Sequence, residues 1–272
     1  QVYLVEKTHT LGGIAGKTDV CFPKFNCNQE FITNLVYDVE NHPHIKVYKA
    51  AELVQNEGYI GNFKATIHNG KAYEVDYGNL ILATGLKVFS PVKMSNYKYT
   101  EFPDVITSLE LEEKLKKGDL KLSNGKEPKH ISIIHCVGSR NSDTHEYCSR
   151  TCCVTGLKYA NQLKAALPKT HIYELYADMR TMDKSCEELY AKTARKGVMF
   201  LMFDQRNGLP QISQGKSNLK IEFKEQISGE QIEVQSDMVV LLTAVEAHDD
   251  AKKIAHLAGV SMDRNKFFIE KH

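Results

Sequence analysis

Between residues 130 and 166 the chain reads HISIIHCVGSRNSDTHEYCSRTCCVTGLKYANQLKAA, and no other stretch limits its fold so tightly. The apolar run at 131–135 predicts a buried strand, and the amphipathic spacing from about 154 onward predicts a helix. Between them lie four of the seven cysteines, Cys136, Cys148, Cys152 and Cys153, in the pattern C-x11-C-x3-C-C. Four thiolates in one strand-to-helix connection could complete a tetrahedral sulfur site of the kind that suits zinc or an iron–sulfur cluster. The spacing is neither a ferredoxin run nor the paired C-x2-C of zinc sites. A set of small buried thiols is the other reading, since free cysteine often packs as a core residue.

At 272 residues, two domains or one large two-lobed unit are expected. With 35 basic and 34 acidic residues the charge is nearly balanced and gives no electrostatic footprint for nucleic acid. No apolar run is long enough to cross a bilayer, and neither a signal peptide nor a lipidation motif is present. An odd cysteine count with Cys152 and Cys153 adjacent argues against a secreted disulfide framework, so a reducing cytoplasm is expected. The chain begins inside a strand, at 2–5, without the turn that should precede it. That points to an N-terminal truncation, and the C-terminal end also looks incomplete.

The strand at 2–5 ends in Glu6. In a dinucleotide-binding unit, an acidic residue here accepts hydrogen bonds from the adenosine ribose hydroxyls. Gly12 and Gly13 follow in an E-x5-GG phrase, as in flavoproteins with two dinucleotide domains, whereas the phosphate-binding G-x-G-x-x-G is absent. Cys21 and Cys27 bracket a loop; a packed thiol is expected for Cys21, and Cys27 is left open. Residues 31–40 read as a helix, and residues 47–48 as the start of a strand. Residues 51–75 read as a β meander with turns at 56–58 and 69–70. A strand at 79–84 ends in Ala83, Thr84 and Gly85, where glycine lets the backbone approach a cofactor closely.

After an irregular link at 86–103, Ser108 is expected to cap a helix that runs to 117. A polar loop occupies 119–129. The next domain's nucleotide-binding strand should be followed by G-x-G-x-x-G if it binds NAD(P)H, but CVGSR stands there instead. Further strands are expected at 172–177 and 198–203, with a helix at 185–196 that holds Cys186 as a packing thiol. A hairpin turning at 228–230 fills 212–234. Then come a fully apolar strand at 238–242, a helix at 249–259 and a strand at 267–270.

CVGSR at 136–140 followed by YCSRTCC at 147–153 resembles the signature of the heterodisulfide reductase A-subunit family. Other phrases of that family occur in order: VYLVEK…LGG at 2–13, CFPKFNC at 21–27, NEGYIGNFKATI at 56–67, LILATG at 80–85 and FPDVITSLELEEKL at 102–115. DMVVLLTAVEA at 237–247 and LAGVSMDRNKFF at 257–268 complete the series. The resemblance covers almost the whole chain. It is to a short form without the ferredoxin-like insertion, similar to the A and B subunits of quinone-interacting oxidoreductases and to the A-subunits of sulfur-oxidising, heterodisulfide-reductase-like complexes.

The resemblance implies an α/β fold of two Rossmann-like dinucleotide-binding domains of the thioredoxin/glutathione reductase type, with a small β meander. Residues 1–105 and 235–272 would form a split FAD-binding domain, with Glu6, Gly12, Gly13, Ala83, Thr84 and Gly85 at the cofactor. Residues 106–234 would form a second Rossmann-like domain. There Cys136, Cys148, Cys152 and Cys153 would ligate a [4Fe-4S] cluster, with Arg140 and Arg150 either supplying positive charge or forming surface ion pairs. The implied role is electron transfer between flavin and partner iron–sulfur subunits of a heterodisulfide-reductase-like complex. A homodimer is also allowed, and any membrane attachment would run through partner subunits. Two alternatives remain. One is a free-standing NAD(P)H-dependent flavin disulfide reductase, which would need an exposed C-x-x-C and a second glycine motif. The other is a zinc-stapled scaffold on a flavin fold.

Overall fold

A computed structural model describes residues 1–21 and 26–270, the side chains of Cys27 and Asn28 excepted. The chain forms two compact units. The first comprises Gln1–Thr18, Cys27–Lys87 and Glu246–His272; the second comprises Asp19–Asn26 and Val88–Val245.

In the second unit, Val105–Thr107, His130–Val137, His171–Tyr176, Met199–Met202 and Met238–Thr243 make one parallel sheet. His130–Val137 lies between His171–Tyr176 and Met238–Thr243, and Val105–Thr107 and Met199–Met202 form the edges. The helices Ser108–Lys117, Cys152–Ala166 and Cys186–Arg195 connect successive strands. A three-stranded antiparallel sheet, Gln211–Gln214, Leu219–Lys224 and Gln231–Ser236, precedes the return to Met238–Thr243.

Side chains alternate across a strand, and here both faces are covered. Ile131, Ile133, Met238 and Val240 pack with Leu111, Tyr159 and Leu163 of the helices. Ile134, Val137, Val239 and Leu241 pack with Ile212, Ile221 and Val234 of the antiparallel sheet. Double coverage is the physical reason these strands read as nearly continuous apolar runs, interrupted in His130–Val137 by the buried Ser132 and His135.

The helix Ser108–Lys117 is capped by Thr107, not Ser108. The Thr107 hydroxyl accepts from the Glu110 backbone N–H while the Glu110 carboxylate accepts from the Thr107 N–H, a closed capping box. Beneath this helix Glu112 and Lys158 form a fully enclosed ion pair. Tyr159 also donates to Glu112 at 3.0 Å, and the Asp19 backbone N–H donates to its other oxygen at 3.1 Å. The last contact ties residue 19 to the second unit.

In the first unit Val2–Val5 pairs in parallel with Ile45–Tyr48 across the helix Asn28–Asn41. The strand expected to start at 47 therefore ends at Tyr48. The meander is Glu52–Tyr59, Asn62–Asn69 and Lys71–Tyr77. Its small core holds Tyr48, Ala51, Ala65, Ile67 and Val75. The expected turn at 56–58 is instead inside a strand, and the hairpin closes at 60–61. Gly58 has φ +108°, and a Cβ there would stand 2.2 Å from the Asn62 carbonyl oxygen, so glycine serves close backbone approach rather than a turn. The helix Ala251–Ala258 ends at Gly259 in the left-handed region, and Leu257 O accepts from Asn56 Nδ2 at 2.9 Å.

Four further expectations are corrected. Residues 79–86 form no strand, and Ile81 is 87 % exposed; an apolar triplet alone does not make a strand, whose backbone also needs a pairing edge. Residues 267–270 contribute one isolated bridge, Met262 to Phe268. The 212–234 hairpin has a third strand. Residues 88–105 and 235–245 lie in the second unit, because Val105–Thr107 and Met238–Thr243 hydrogen-bond into its sheet.

Candidate functional site: the cysteine loop and a cavity in the first unit

The strand His130–Val137 loses regularity at its carboxyl end, where open parallel sheets bind ligands. Its register against Met238–Thr243 shifts between Ile134 and Val137. Cys136, Gly138, Arg140 and Arg150 all have positive φ, at 59°, 83°, 57° and 61°. For three non-glycine residues in one loop, that is a concentration of backbone strain of the kind found at functional sites. A Cβ on Gly138 would stand 2.4 Å from the Phe89 ring.

The strain is held by named bonds. Arg140 N donates to Tyr147 O at 3.0 Å and Asn141 N to His145 O at 2.9 Å, which folds 140–147 back on itself. Tyr147 Oη donates to Val245 O at 2.7 Å, and Ser149 Oγ accepts from Val245 N at 3.1 Å. The 147–149 segment is thereby fixed to the end of the neighbouring strand.

Cys152 and Cys153 open the helix Cys152–Ala166, whose N-cap Thr151 makes no side-chain capping bond. Uncapped N–H groups and the positive end of the helix dipole favour negative charge at such a helix start. Cys136, Cys152 and Cys153 are buried and Cys148 is partly buried. The Cys136 thiol hydrogen-bonds to Cys152, which holds Cys152 below the usual thiol range and pushes Cys136 above it. Backbone N–H groups point at the other two sulfurs, from Arg150 to Cys148 Sγ and from Arg180 to Cys153 Sγ, both at 3.3 Å. The structure thus brings the four sequence-selected cysteines into one neighbourhood. Among the described residues, no three histidine, cysteine, aspartate or glutamate side chains are grouped so as to hold a metal ion.

Behind the loop, His135 Nε2 and Glu174 Oε2 meet at 2.8 Å with no solvent exposure. Burial pulls the imidazole down, but bonds to Cys153 and Glu174 outweigh it and push His135 up to about 10. A Cβ on Gly156 would come within 2.6 Å of His135 Nε2, so glycine is what lets the helix pack over this pair.

Arg140 and Arg150 differ. Arg140 is three-quarters buried, with Nη2 3.6 Å from Asp178 Oδ2. Arg150 is exposed and contributes its backbone N–H. Sequence reasoning missed Arg180 and Asp178, which stand after a different strand; no spacing in the chain links them to the cysteines. Arg140, Asp178, Asp204 and Arg206 border a cavity of about 360 Å³. Cys21 is exposed, not packed. Cys186 is buried. Residues 22–25, which lie between Cys21 and Cys27, fall outside the described residues.

In the first unit Ala83, Thr84 and Gly85 line a cavity of about 260 Å³ together with His248, Ala251 and Phe267. Gly85 has φ +68° and open space where a Cβ would project. Glu6, Gly12 and Gly13 are not in this lining. Glu6 Oε1 instead accepts from the Thr8 N–H and hydroxyl, both at 2.7 Å. Gly12 O accepts from Gly16 N at 2.9 Å, and Gln29 Nε2 donates to Gly16 O and Thr18 O, closing the glycine loop onto the following helix.

No protein-family model matches the chain. Across its whole length it is similar to curated A-subunits of heterodisulfide reductases. It is 27 % identical to one of the iron-sulfur A-subunits of CoB–CoM heterodisulfide reductase in Methanopyrus kandleri. It is 26 % identical to the A-subunit of the H2/formate:CoB–CoM heterodisulfide, ferredoxin reductase of Methanococcus maripaludis. Each comparison covers 100 % of this chain and 54 % of the relative, so the chain spans about half the length of these relatives. A protein of Archaeoglobus profundus described as like the heterodisulfide reductase A-subunit is 23 % identical, over 100 % of this chain and 56 % of its own length. The Methanopyrus alignment runs over 365 positions against 272 residues, which leaves at least 93 positions of that relative without a counterpart here. The resemblance carried by the cysteine motif therefore holds across the chain.

Among solved structures, the thioredoxin reductases of T. acidophilum and Lactococcus lactis both match with a TM-score of 0.59. They are 13 % and 12 % identical, over 98 % and 99 % of this chain and 76 % of each of theirs. At that identity they establish the fold: mixed α/β of the thioredoxin-reductase type, with a parallel sheet. No helix among the described residues is long and apolar enough to cross a membrane.

Proposed function

We propose that the chain is an electron-relaying oxidoreductase component of a heterodisulfide-reductase-like complex, with FAD held by the first unit and a [4Fe-4S] cluster by Cys136, Cys148, Cys152 and Cys153. The observation that carries the reading is the cysteine loop itself. Four thiols gather at the carboxyl edge of a parallel sheet, two of them opening an uncapped helix and two receiving backbone N–H bonds.

The residues present fit such a group. A four-iron cluster takes its thiolates at separate corners rather than on one atom, which suits ligands spread over two turns of loop and a helix start. Its inorganic sulfides accept hydrogen bonds. The buried hydroxyls of Ser139 and Thr243 and Arg140 Nη1 have no partner of their own around this loop. For the flavin the fit is partial: the 260 Å³ cavity at Ala83–Gly85 takes a segment of the cofactor, and the Glu6 carboxylate would have to exchange Thr8 for a ribose.

When bound, the two cofactors would supply two-electron and one-electron steps respectively. The chain's own work is positional. The helix start and the two N–H donors direct hydrogen bonds at the sulfurs, the covered sheet excludes water, and the His135–Glu174 pair keeps a proton beside Cys153. The partners would be other iron–sulfur subunits of the complex, in a reducing cytoplasm.

The test is a visible spectrum with iron, sulfide and flavin assays on anaerobically purified protein, beside a Cys152→Ala, Cys153→Ala variant. About four irons and one FAD per chain, with iron lost in the variant, is the expected result. FAD without iron would return the cysteines to a structural or zinc role.

A further inference from the structure

The strands His130–Val137, His171–Tyr176 and Met199–Met202 are neighbours in one parallel sheet. Residues just past their carboxyl ends border the cavity of about 360 Å³, to which the proposed relay assigns nothing. Ligands of open parallel sheets sit outside that edge, and the volume suits a small polar molecule. Gln205 is fixed there by donation from Nε2 to Ser139 O at 3.3 Å, while its Oε1 is a buried acceptor without a partner. A buried polar atom left unpaired is costly, so a ligand that pairs it is favoured. Asp178 accepts from Arg180 Nε at 3.0 Å on Oδ2 and keeps its side chain 46 % exposed. Asp204 clamps Arg206, accepting from its Nη2 at 2.7 Å and its Nε at 3.0 Å, and the arginine side chain stays 86 % exposed. Ala177 and Met202 add apolar wall.

We infer that this cavity binds an adenine mononucleotide, with the adenine amine donating to Gln205 Oε1, the ribose hydroxyls donating to Asp178 and the phosphate meeting Arg206. Each part follows from the chemistry of the wall. Because the Gln205 amide nitrogen is taken by Ser139, the side chain offers an acceptor alone. That calls for a base edge that presents an amine without a carbonyl, which is adenine. A carboxylate takes both hydroxyls of a ribose diol, and a guanidinium pairs with phosphate oxygens. A dinucleotide does not fit the same wall. Its pyrophosphate needs open glycine backbone after the first strand. Here Gly138 is covered by the buried Phe89 ring, 2.4 Å from where a Cβ would project. The inference holds whether or not the cysteines take a metal.

The experiment is equilibrium dialysis of the chain as purified anaerobically against adenosine monophosphate, its 2′-deoxy analogue, adenosine, guanosine monophosphate and NADH, repeated with Asp178→Ala, Gln205→Met and Arg206→Gln. Adenosine monophosphate is expected to bind below about 1 mM. The 2′-deoxy analogue and adenosine should each bind about tenfold more weakly, as should adenosine monophosphate to Gln205→Met. Asp178→Ala should erase the difference between the nucleotide and its 2′-deoxy analogue, and Arg206→Gln the difference between the nucleotide and adenosine. A merely structural role for either side chain would weaken both ligands of a pair alike. No binding at about 1 mM, or guanosine monophosphate or NADH binding as tightly, overturns the inference. So does binding that all three variants leave unchanged, which would put the nucleotide elsewhere on the chain. Should Asp178→Ala fail to fold, the exposed Arg206 decides: loss of the phosphate difference in Arg206→Gln supports the site, and its persistence overturns it.

Discussion

In the second unit the strand His130–Val137 has seven of its eight residues buried, whereas in the first unit none of Val2–Val5 is buried. Both are parallel strands rich in apolar residues. The difference lies in what covers them. The first has helices on one face and an antiparallel sheet on the other; the second belongs to a two-stranded sheet with exposed Val2 at 54 %. A half-covered strand gains little hydrophobic stabilisation and leaves backbone groups to water. The comparison teaches that the second unit is a rigid support for the strained cysteine loop, while the first opens locally at lower cost.

The largest expected effect comes from the covered core. Leu157→Ala, at a residue with no exposure, should destabilise the second unit by about 3 kcal/mol, read by chemical denaturation. Val5→Ala in the first unit should cost under about 1 kcal/mol. Equal losses would break the contrast. Next in size, Lys158→Met strands the buried Glu112 carboxylate and should cost about 3 kcal/mol or slightly less, because Tyr159 and the Asp19 N–H still satisfy its oxygens. The double change Lys158→Met, Glu112→Leu should recover most of that loss, and a double variant no better than the single would show that the carboxylate is not the source.

Gly156→Ala presses a methyl onto His135 and Glu174 and should cost about 2 kcal/mol; an unchanged midpoint would mean that the helix shifts freely. The smallest effect belongs to the first unit. Lys7 beside Asp250 holds that carboxyl below its ordinary range. A depressed carboxyl contributes stability that is present above its unfolded value of 3.8 and lost as pH falls through the folded one. The contribution is under about 1 kcal/mol because the lysine is mostly exposed. The protection of amides near residues 250–258, with exchange rates corrected for their intrinsic pH dependence, should therefore fall below about pH 4 in the native chain, and Asp250→Asn should flatten that dependence.

Covered strands were legible because two-sided burial writes itself into composition: the runs at 131–135 and 238–242 could hardly be anything else. The equally apolar 80–82 misled, since a strand also requires a free edge, and pairing partners leave no local trace. The glycine at 58 looked like a turn because its tight neighbour, the Asn62 carbonyl, is fixed only once the hairpin forms. The cysteines announced themselves through side-chain chemistry and motif. Arg180 did not, since the approach of its backbone N–H to Cys153 depends on how two strand ends lie side by side. At the helix Ser108–Lys117 the competition was narrower: Thr107 and Ser108 are both good caps, and the position of Glu110 three residues on decides for the threonine.

The chain crosses between its two units four times, at 18–19, 26–27, 87–88 and 245–246. During synthesis this imposes an order of assembly. Everything the second unit contains has been made once residue 245 has left the ribosome. The first unit must still wait for the helix Ala251–Ala258, whose Leu257 carbonyl receives Asn56 from 201 positions earlier. Until then the meander stands with its partner unmade, so residues 52–77 emerge before residues 88–245 and are finished after them. For the same reason neither unit can be cut out as one continuous fragment.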